Sequence, residues 1–169
     1  MSWQVRIQTE DFDLSREVAA LRAGDLEIGG VTAFVGTVRD VAPAGSEPGL
    51  QAMELEHYPG MTERAIEQMM GEARRRFDLR AGLVIHRVGR LLPGEQIVLV
   101  AVASRHRHAA FQGAEFLMDW LKTDAPFWKK EHTAQGGQWV SARQSDDEAV
   151  ARWGVRSGNA GVQPVPKQE

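Results

Sequence analysis

The chain contains no cysteine among its 169 residues. Disulfide bonds and thiolate metal sites are therefore excluded, and so is a persulfide carried on this chain. No run of apolar residues approaches the roughly 18 that a membrane span needs, and the N-terminus shows no charged region followed by an apolar signal segment. A cytoplasmic location, with no membrane partner, is expected.

Basic residues are also fewer than a dedicated nucleic-acid-binding protein usually has. Lysine and arginine number 20 against 23 acidic residues, for a net charge of -3, whereas a dedicated nucleic-acid-binding domain is usually basic. The apolar content of 43% and the length fit one globular domain, which we place at residues 1–153. Residues 154–169 are rich in Gly, Pro and Gln and have little to bury, so we expect a disordered tail.

The hydrophobic patterns predict an α+β protein of mostly antiparallel strands, because no regular alternation of strand and helix appears. Strands are predicted at residues 3–7, 30–38, 53–55, 83–90, 96–104, 129–133 and 138–142. Helices are predicted after a cap at Asp13, over residues 62–77, from Arg107 to Lys122, and from a capping box at Ser145 and Glu148 to Trp153. The continuously apolar strand 96–104 is expected to be central and buried on both faces.

The helix that begins near Arg107 carries the densest chemistry of the chain. Its apolar positions recur at spacings of three and four, which predicts one buried face made of Phe111, Ala114, Leu117, Met118 and Leu121. Arg107 stands at its start and Lys122 at its end. Pro126 cannot extend the helix, so Lys129 lies beyond a break. The two lysines come from different local structures, and only the tertiary fold can bring them together.

These residues predict a cationic pocket for an anionic substrate, with phosphate as the favoured group. Its members are Arg39, His106, Arg107, Lys122 and Lys129. Arginine recognises phosphate in a planar, bidentate way, lysine supplies a compact charge that can also transfer a proton, and a helix N-terminus adds backbone N–H donors. A metal site is not expected, because His106 and His108 diverge at a helix start and no carboxylate stands at ligand spacing.

Structural explanations compete for several of these residues. Lys122 can simply compensate the helix dipole, and the basic run at residues 74–76 fits a solvated helix end better than a phosphate site. His57 and His86 are expected to be half-buried structural side chains. The aromatic residues Trp120, Phe127 and Trp128 fit packing better than substrate stacking. Nucleophilic hydrolysis has little support, since Ser104 lies in no nucleophile motif.

The ordered set of motifs in this chain resembles the MoaE family, the large catalytic subunit of molybdopterin synthase. The matching blocks are 35–40, 55–61, 86–89, His106-Arg107, Ala110-Phe111, Met118-Asp119, Leu121-Lys122 and 125–129, in the same order as in the family. The resemblance covers roughly residues 3–153. It implies an α/β hammerhead-like core with an additional small antiparallel sheet, assembled as a homodimer within a heterotetramer.

The resemblance also implies an activity without a resident cofactor or metal. The family inserts two sulfurs into cyclic pyranopterin monophosphate, also called precursor Z, to form the dithiolene of molybdopterin. The sulfur arrives as a thiocarboxylate on the C-terminal Gly-Gly of a small ubiquitin-like partner, which suits an enzyme without cysteine. By the resemblance, Lys122 and Lys129 are catalytic, Arg39, His106 and Arg107 bind substrate, and Arg143 reaches the pocket from the other subunit.

The sequence departs from the family in two places, and three other functions are compatible with it. The loop at residues 41–49 is rich in Pro and Gly and lacks an expected Asn, and the tail from Gly154 has no counterpart. The alternatives are a non-catalytic docking module for a ubiquitin-like tail, another phosphate-ester or sulfur-transfer enzyme on the same scaffold, and a weak RNA binder that uses residues 74–80. Retention of both Lys122 and Lys129 argues against a purely docking role.

Overall fold

The computed structural model of the protein describes residues 2–40, 42, 49–140 and 144–154, with side chains from Glu148 onward in the last range. These ranges contain eight strands, β1 (Trp3–Gln8), β2 (Gly30–Thr37), β3 (Ala52–His57), β4 (Leu79–Arg87), β5 (Gly89–Leu91), β6 (Gln96–Ser104), β7 (Phe127–Thr133) and β8 (Gly136–Val140). They also contain four helices, α1 (Leu14–Arg22), α2 (Met61–Phe77), α3 (Arg107–Thr123) and α4 (Gln144–Ala151).

The main sheet has the strand order β1-β4-β6-β2. The pair β1 and β4 is parallel, and the other two pairs are antiparallel. Strand β6 lies in the middle and is buried along its last seven residues, as its apolar run predicts. The two faces of β6 alternate: Val98, Val100 and Val102 point towards α2 and α3, while Leu99, Ala101 and Ala103 point towards the α1 side.

A second sheet, with the order β5-β3-β7-β8, is antiparallel throughout. It packs on the end of the main sheet through a third apolar cluster of Val38, Leu50, Met53, Leu55 and Leu91. The α+β class and the additional antiparallel sheet are therefore confirmed. The predicted break after α3 is confirmed as well, because Lys122 belongs to a helix that ends at Thr123 and Lys129 belongs to β7.

Local sequence patterns predicted several features at the ends of helices and strands correctly. The backbone N–H of Arg16 donates to the carboxylate of Asp13 at 2.9 Å and caps α1. The register of β2 shifts between Gly36 and Thr37, an irregularity that a glycine within a strand accommodates. The basic end of α2 is a solvated face, since Arg76 pairs with Glu72 at 2.6 Å on the helix surface.

Other predicted strand boundaries were wrong. Strand β4 begins at Leu79 rather than at residue 83, because the left-handed Asp78 (φ 50°) ends α2 and turns the chain directly into the sheet. The predicted strand 83–90 does not continue past Arg87, because residues 89–91 leave the main sheet and pair with β3. Strand β8 begins at Gly136 and not at residue 138, so its turn contains only residues 134 and 135.

The predicted apolar face of α3 was wrong at its first position. Phe111 is 62% exposed, whereas Phe116 and Trp120 are buried in the core. The helix packs so closely that a Cβ on Gly113 would lie 2.7 Å from the Leu79 side chain. The tertiary contact therefore rotates the buried stripe away from Phe111 and leaves that ring at the surface.

Some predictions concern parts of the chain beyond the described residues. Of the loop at 41–49 only Ala42 and Gly49 are described, and Arg143, the side chain of Ser145 and the tail from residue 155 are not. The predicted last helix is present as α4, but it ends at Ala151, before Trp153. None of the described helices is long and apolar enough to cross a membrane. The domain boundary and the cytoplasmic location stay predictions.

Candidate active site

Lys129 lies on the face of the second sheet that is turned towards the main sheet. In the antiparallel register it stands beside Leu55 of β3 and Val140 of β8, and directly opposed residues share a face. Leu55 is buried in the apolar cluster between the sheets, while the Lys129 side chain is 36% exposed. The lysine therefore sits at the edge of the apolar contact, with a stem that can pack and an ammonium group that reaches solvent.

Glu131 is a neighbour of Lys129 that sequence reasoning missed. The ammonium Nζ of Lys129 lies 3.5 Å from the Glu131 Oε1 atom, and the glutamate side chain is only 20% exposed. Residues two apart on a strand share a face, so the spacing of this pair was a usable signal. A carboxylate at this distance can pair with the ammonium group of the lysine and orient its protons.

Lys122 occupies the last turn of α3 and is exposed. The chain between the two lysines is held from α2: the hydroxyl of the buried Thr62 donates to the carbonyl of Pro126 at 3.0 Å. The same hydroxyl accepts a hydrogen bond from the backbone N–H of Tyr58 at 3.0 Å. Of the three aromatic residues considered, Trp120 is buried and Trp128 makes an edge contact with Tyr58 at 4.4 Å, which are packing roles.

Arg39 follows the end of β2 and is exposed. The residue before it, Val38, is buried, its N–H donates to Glu95 and its carbonyl accepts from Gly94. The residue after it, Asp40, accepts backbone N–H groups from Ala42 at 3.0 Å, Gly49 at 3.2 Å and Leu50 at 3.0 Å through one carboxylate oxygen. Hydrogen bonds therefore fix the backbone on both sides of Arg39.

His106 and Arg107 lie at the N-terminus of α3, where His106 is the extended N-cap residue. Together with Gly29, Arg105, His108 and Phe111 they line an open concavity of about 490 Å³. Position 29 admits only glycine, because a Cβ there would lie 2.1 Å from the carbonyl oxygen of Arg105. The backbone N–H groups at the start of α3 and the side chains of His106 and Arg107 suit an anion.

The structure separates the predicted pocket into two groups within one chain. Arg107 and Lys122 are 15 residues apart on the same helix, a distance of about 22 Å along its axis. Arg39 follows Thr37, which pairs with Gln96, whereas His106 follows Ser104, which pairs with Gly30, so the two residues flank opposite ends of a strand about 24 Å long. The five residues therefore do not form one pocket within a single chain, and their roles stay predictions.

We name these groups by their members. Arg39, Lys122 and Lys129 form the lysine group, at the end of the main sheet on which the second sheet packs. His106 and Arg107 form the histidine group, at the opposite end. The helix α3 predicted from sequence already implied this separation, because its length alone keeps Arg107 away from Lys122.

His86 lies at the lysine end of the main sheet, where it opposes Val98 of β6. Its ring stacks on Phe127 with centroids 3.9 Å apart, and its Nδ1 lies 2.8 Å from the Arg87 carbonyl oxygen. Burial, and to a smaller extent the nearby His57, lowers the pKa of His86 to about 4, against the favourable hydrogen bond with Arg87. The structural interpretation of His86 as a half-buried side chain is confirmed.

The depressed pKa of His86 predicts a loss of stability in mild acid. Between pH 6.5 and about 4 the unfolded chain binds a proton at His86 that the folded chain does not, so the free energy of unfolding falls as the pH falls through this window, by up to about 3 kcal/mol. Urea unfolding at pH 7 and pH 4.5 measures the difference. His86→Phe should show a smaller difference than the parent, and an equal difference would contradict a neutral His86 in the folded chain.

The lysine group and the histidine group are cationic clusters at opposite ends of the main sheet. Within the described ranges no group of three or more His, Asp or Glu side chains could hold a metal ion. The family model for "MoaE protein" matches residues 7–124. The chain belongs to the MoaE family, and the resemblance noted from its motifs is confirmed.

Known relatives agree in sequence and in structure. The chain is 58% identical over 156 residues to the molybdopterin synthase catalytic subunit of Ralstonia nicotianae, with 92% of this chain and 87% of the relative covered. The MoaE protein structure from Burkholderia ambifaria matches with a TM-score of 0.77 and 56% identity, covering 90% of this chain and 99% of that one. Molybdopterin synthase from Staphylococcus aureus matches with a TM-score of 0.70 and 26% identity, covering 80% and 96%.

These matches assign the class of reaction. The chain is an enzyme, a sulfurtransferase of molybdenum cofactor biosynthesis.

Proposed function

We propose that this chain transfers sulfur from the C-terminal thiocarboxylate of a small ubiquitin-like subunit to cyclic pyranopterin monophosphate, and so forms the dithiolene of molybdopterin. The observation that carries the proposal is the lysine group, in which Lys122 of α3 and Lys129 of β7 come to the same end of the main sheet as Arg39. The absence of cysteine fits a route in which the sulfur travels on a partner. The term "catalytic subunit" for the relatives supports a second kind of subunit.

The substrate offers a phosphate and a carbon centre that the chain must hold in place. Arg39, exposed on its fixed backbone, is suited to bind the phosphate in a bidentate way. His106 and Arg107 supply a second anion site at the start of α3. The two sites within one chain are too far apart for one pterin phosphate to bridge, since about 22 Å separates Arg107 from Lys122 along α3.

The separation supports a site shared by two copies of the chain. In an isologous dimer each copy donates its lysine group to one site and its histidine group to the other. Arg143, which the family resemblance assigns to the other subunit, joins the same proposal, although it lies outside the described residues. The proposed assembly is a homodimer of this chain with one ubiquitin-like subunit bound to each copy.

In the proposed reaction the thiocarboxylate sulfur attacks a side-chain carbon of the pterin and forms a carbon–sulfur bond. The cyclic phosphate opens as its carbon–oxygen bond breaks, and the oxygen that leaves takes up a proton. Water then hydrolyses the acyl–sulfur link, which releases the partner as a carboxylate and leaves a thiol on the pterin. A second thiocarboxylated partner adds its sulfur at the neighbouring side-chain carbon, from which an oxygen leaves as water, and hydrolysis of its acyl–sulfur link releases the second carboxylate. Lys122 and Lys129 supply and remove the protons, and Glu131, at 3.5 Å, orients the Lys129 ammonium.

The direct test is reconstitution from purified components. The chain, a thiocarboxylated ubiquitin-like partner and the cyclic pterin phosphate should together produce the dithiolene, detected after oxidation to a fluorescent pterin derivative. Binding of the partner without any turnover would instead identify a docking module, and turnover of a different phosphate ester would identify another enzyme on this scaffold.

Removal of the partner's last two glycines is expected to abolish sulfur transfer. An extended Gly-Gly tail is the part that can enter a narrow site, and without it the sulfur cannot reach the lysine group even if the globular surfaces still bind. Turnover and binding are measured separately, with the full-length partner carrying an unmodified carboxylate as the control for binding. Sulfur transfer by the truncated partner would contradict the proposed route.

A further inference from the structure

His86 is a half-buried titratable side chain to which the proposed reaction gives no chemical role. It lies on the α2 and α3 side of the main sheet, the side on which Val84 and Val98 are buried. Its imidazole ring is nearly parallel to the Phe127 ring, with an interplanar angle of 19° and a centroid distance of 3.9 Å. This is a close, flat contact across the junction of the two sheets.

The contact connects β7, which carries Lys129, to the main sheet, against which the helix with Lys122 packs. His86 belongs to β4 of the main sheet, against which α3 with Lys122 packs. Phe127 is the first residue of β7 in the second sheet, and Lys129 follows two residues later on the same strand face. A shift of the Phe127 ring therefore moves the start of β7, and Lys129 with it, relative to α3.

We propose that His86 is a positioning residue: its ring, stacked on Phe127, sets the place of Lys129 relative to Lys122. The inference rests on the proposed function, because it assigns to His86 an effect on a lysine whose catalytic role is itself proposed. Positioning at this level matters, since a misplacement of about 1 Å far from the chemistry can lower a rate on the order of 100-fold.

Histidine has two properties here that an aliphatic residue lacks. Its Nδ1 faces a carbonyl oxygen at 2.8 Å, so Nδ1 carries the hydrogen, and this hydrogen bond to Arg87 fixes the plane of the ring. The ring also stays neutral near pH 7, because burial holds its pKa near 4. A neutral imidazole ring adds no positive charge to the end of the main sheet that already carries Arg39, Lys122 and Lys129.

The surroundings of the stack indicate that the fold can survive its loss. Thr62 holds the carbonyl of Pro126 independently at 3.0 Å. The ring centroids of His57 and Phe127 lie 6.5 Å apart, and the Nε2 atom of His57 lies 3.6 Å from the Glu63 Oε1 atom. Removal of the imidazole leaves these attachments in place, so the expected effect is a change in the placement of β7 rather than unfolding.

The test compares His86→Leu, which removes the flat ring, with His86→Phe, which keeps it. His86→Leu is expected to lower kcat about tenfold with KM for the pterin substrate changed less than about twofold, since uniform binding is untouched. His86→Phe should keep kcat within about threefold of the parent. His132→Leu is the control, because His132 lies on the opposite face of the second sheet, paired with Glu54 at 2.9 Å, and should keep full activity.

A double-mutant cycle with Lys129→Ala decides whether His86 acts through Lys129. If it does, His86→Leu lowers the rate no further in the Lys129→Ala background. Full kcat in folded His86→Leu, or an undiminished tenfold loss in the Lys129→Ala background, would overturn the proposal. If His86→Leu does not fold, Phe127→Leu removes the same stack from the other side and is judged by the same two outcomes. A fully active Lys129→Ala variant would instead refute the catalytic role of Lys129, a result separate from the loss of the positioning effect.

Discussion

Lys122→Ala and Lys129→Ala are each expected to lower the rate of dithiolene formation on the order of 100-fold or more, the scale of general acid–base catalysis. Both side chains extend from formed elements and reach solvent, so their truncation leaves no buried cavity. Melting temperature and dimer content should therefore match the parent. Single-turnover rates with the thiocarboxylated partner and the pterin substrate measure the effect.

Lys130→Ala is the matched control for this prediction. Lys130 is the next residue on β7 and has the same charge, but it lies on the outer face of the second sheet, over the Trp139 ring at 5.6 Å. Its loss should change the rate less than about twofold, as for an exposed charge away from the site. If folded Lys122→Ala and Lys129→Ala variants formed product at near-normal rates, the catalytic assignment would be wrong.

Mixing two inactive variants should restore activity if the site is shared between copies. In a heterodimer of Lys122→Ala and Arg107→Ala chains, one site receives both defects and the other receives neither. An equimolar mixture that exchanges freely should reach about one quarter of the parent activity, since half of the dimers are mixed and each has one intact site. The geometric reason is the distance of about 22 Å between these residues along α3, which no single pterin phosphate spans.

Two further mixtures control the result. Lys122→Ala and Lys129→Ala belong to the same lysine group, so their mixed dimers have a defect in both sites and should stay inactive. Lys122→Ala mixed with Arg143→Ala should regain activity if Arg143 also acts on the other subunit's site, whereas Arg107→Ala mixed with Arg143→Ala should not. Verified heterodimers of Lys122→Ala and Arg107→Ala that remain inactive would show that the site is not shared.

Much of the fold could be predicted from local patterns. The central strand β6 could be predicted because its sequence is continuously apolar, and the structure buries seven successive residues of it on alternating faces. The end of α3 could be predicted because Pro126 cannot continue a helix. The pattern failed where a tertiary contact overrode it. Phe111 fits the apolar spacing of α3 and yet is 62% exposed, because the packing of Gly113 against Leu79 sets the rotation of the helix.

The candidate site was predicted as a set of residues but not as an arrangement. The residue types and their order were enough to single out Arg39, His106, Arg107, Lys122 and Lys129 and to find the family. Glu131 was missed although its spacing from Lys129 places it on the same strand face. The separation of Arg107 from Lys122 was implied by the helix between them, and the position of Arg39 was not, since it depends on which strands pair and in which register.

The sequence by itself determined the chemistry that this protein can use: the absence of a thiol, the presence of two lysines in different elements, and basic residues suited to a phosphate. These follow from residue identity and short-range spacing, to which local backbone preferences respond directly. Only the tertiary structure decided that Arg39 lies at the same end of the main sheet as the two lysines, and that His86 meets Phe127 between two sheets. These placements bring together residues about 40 or more positions apart, and such pairs are set by the packing of whole elements rather than by any local preference.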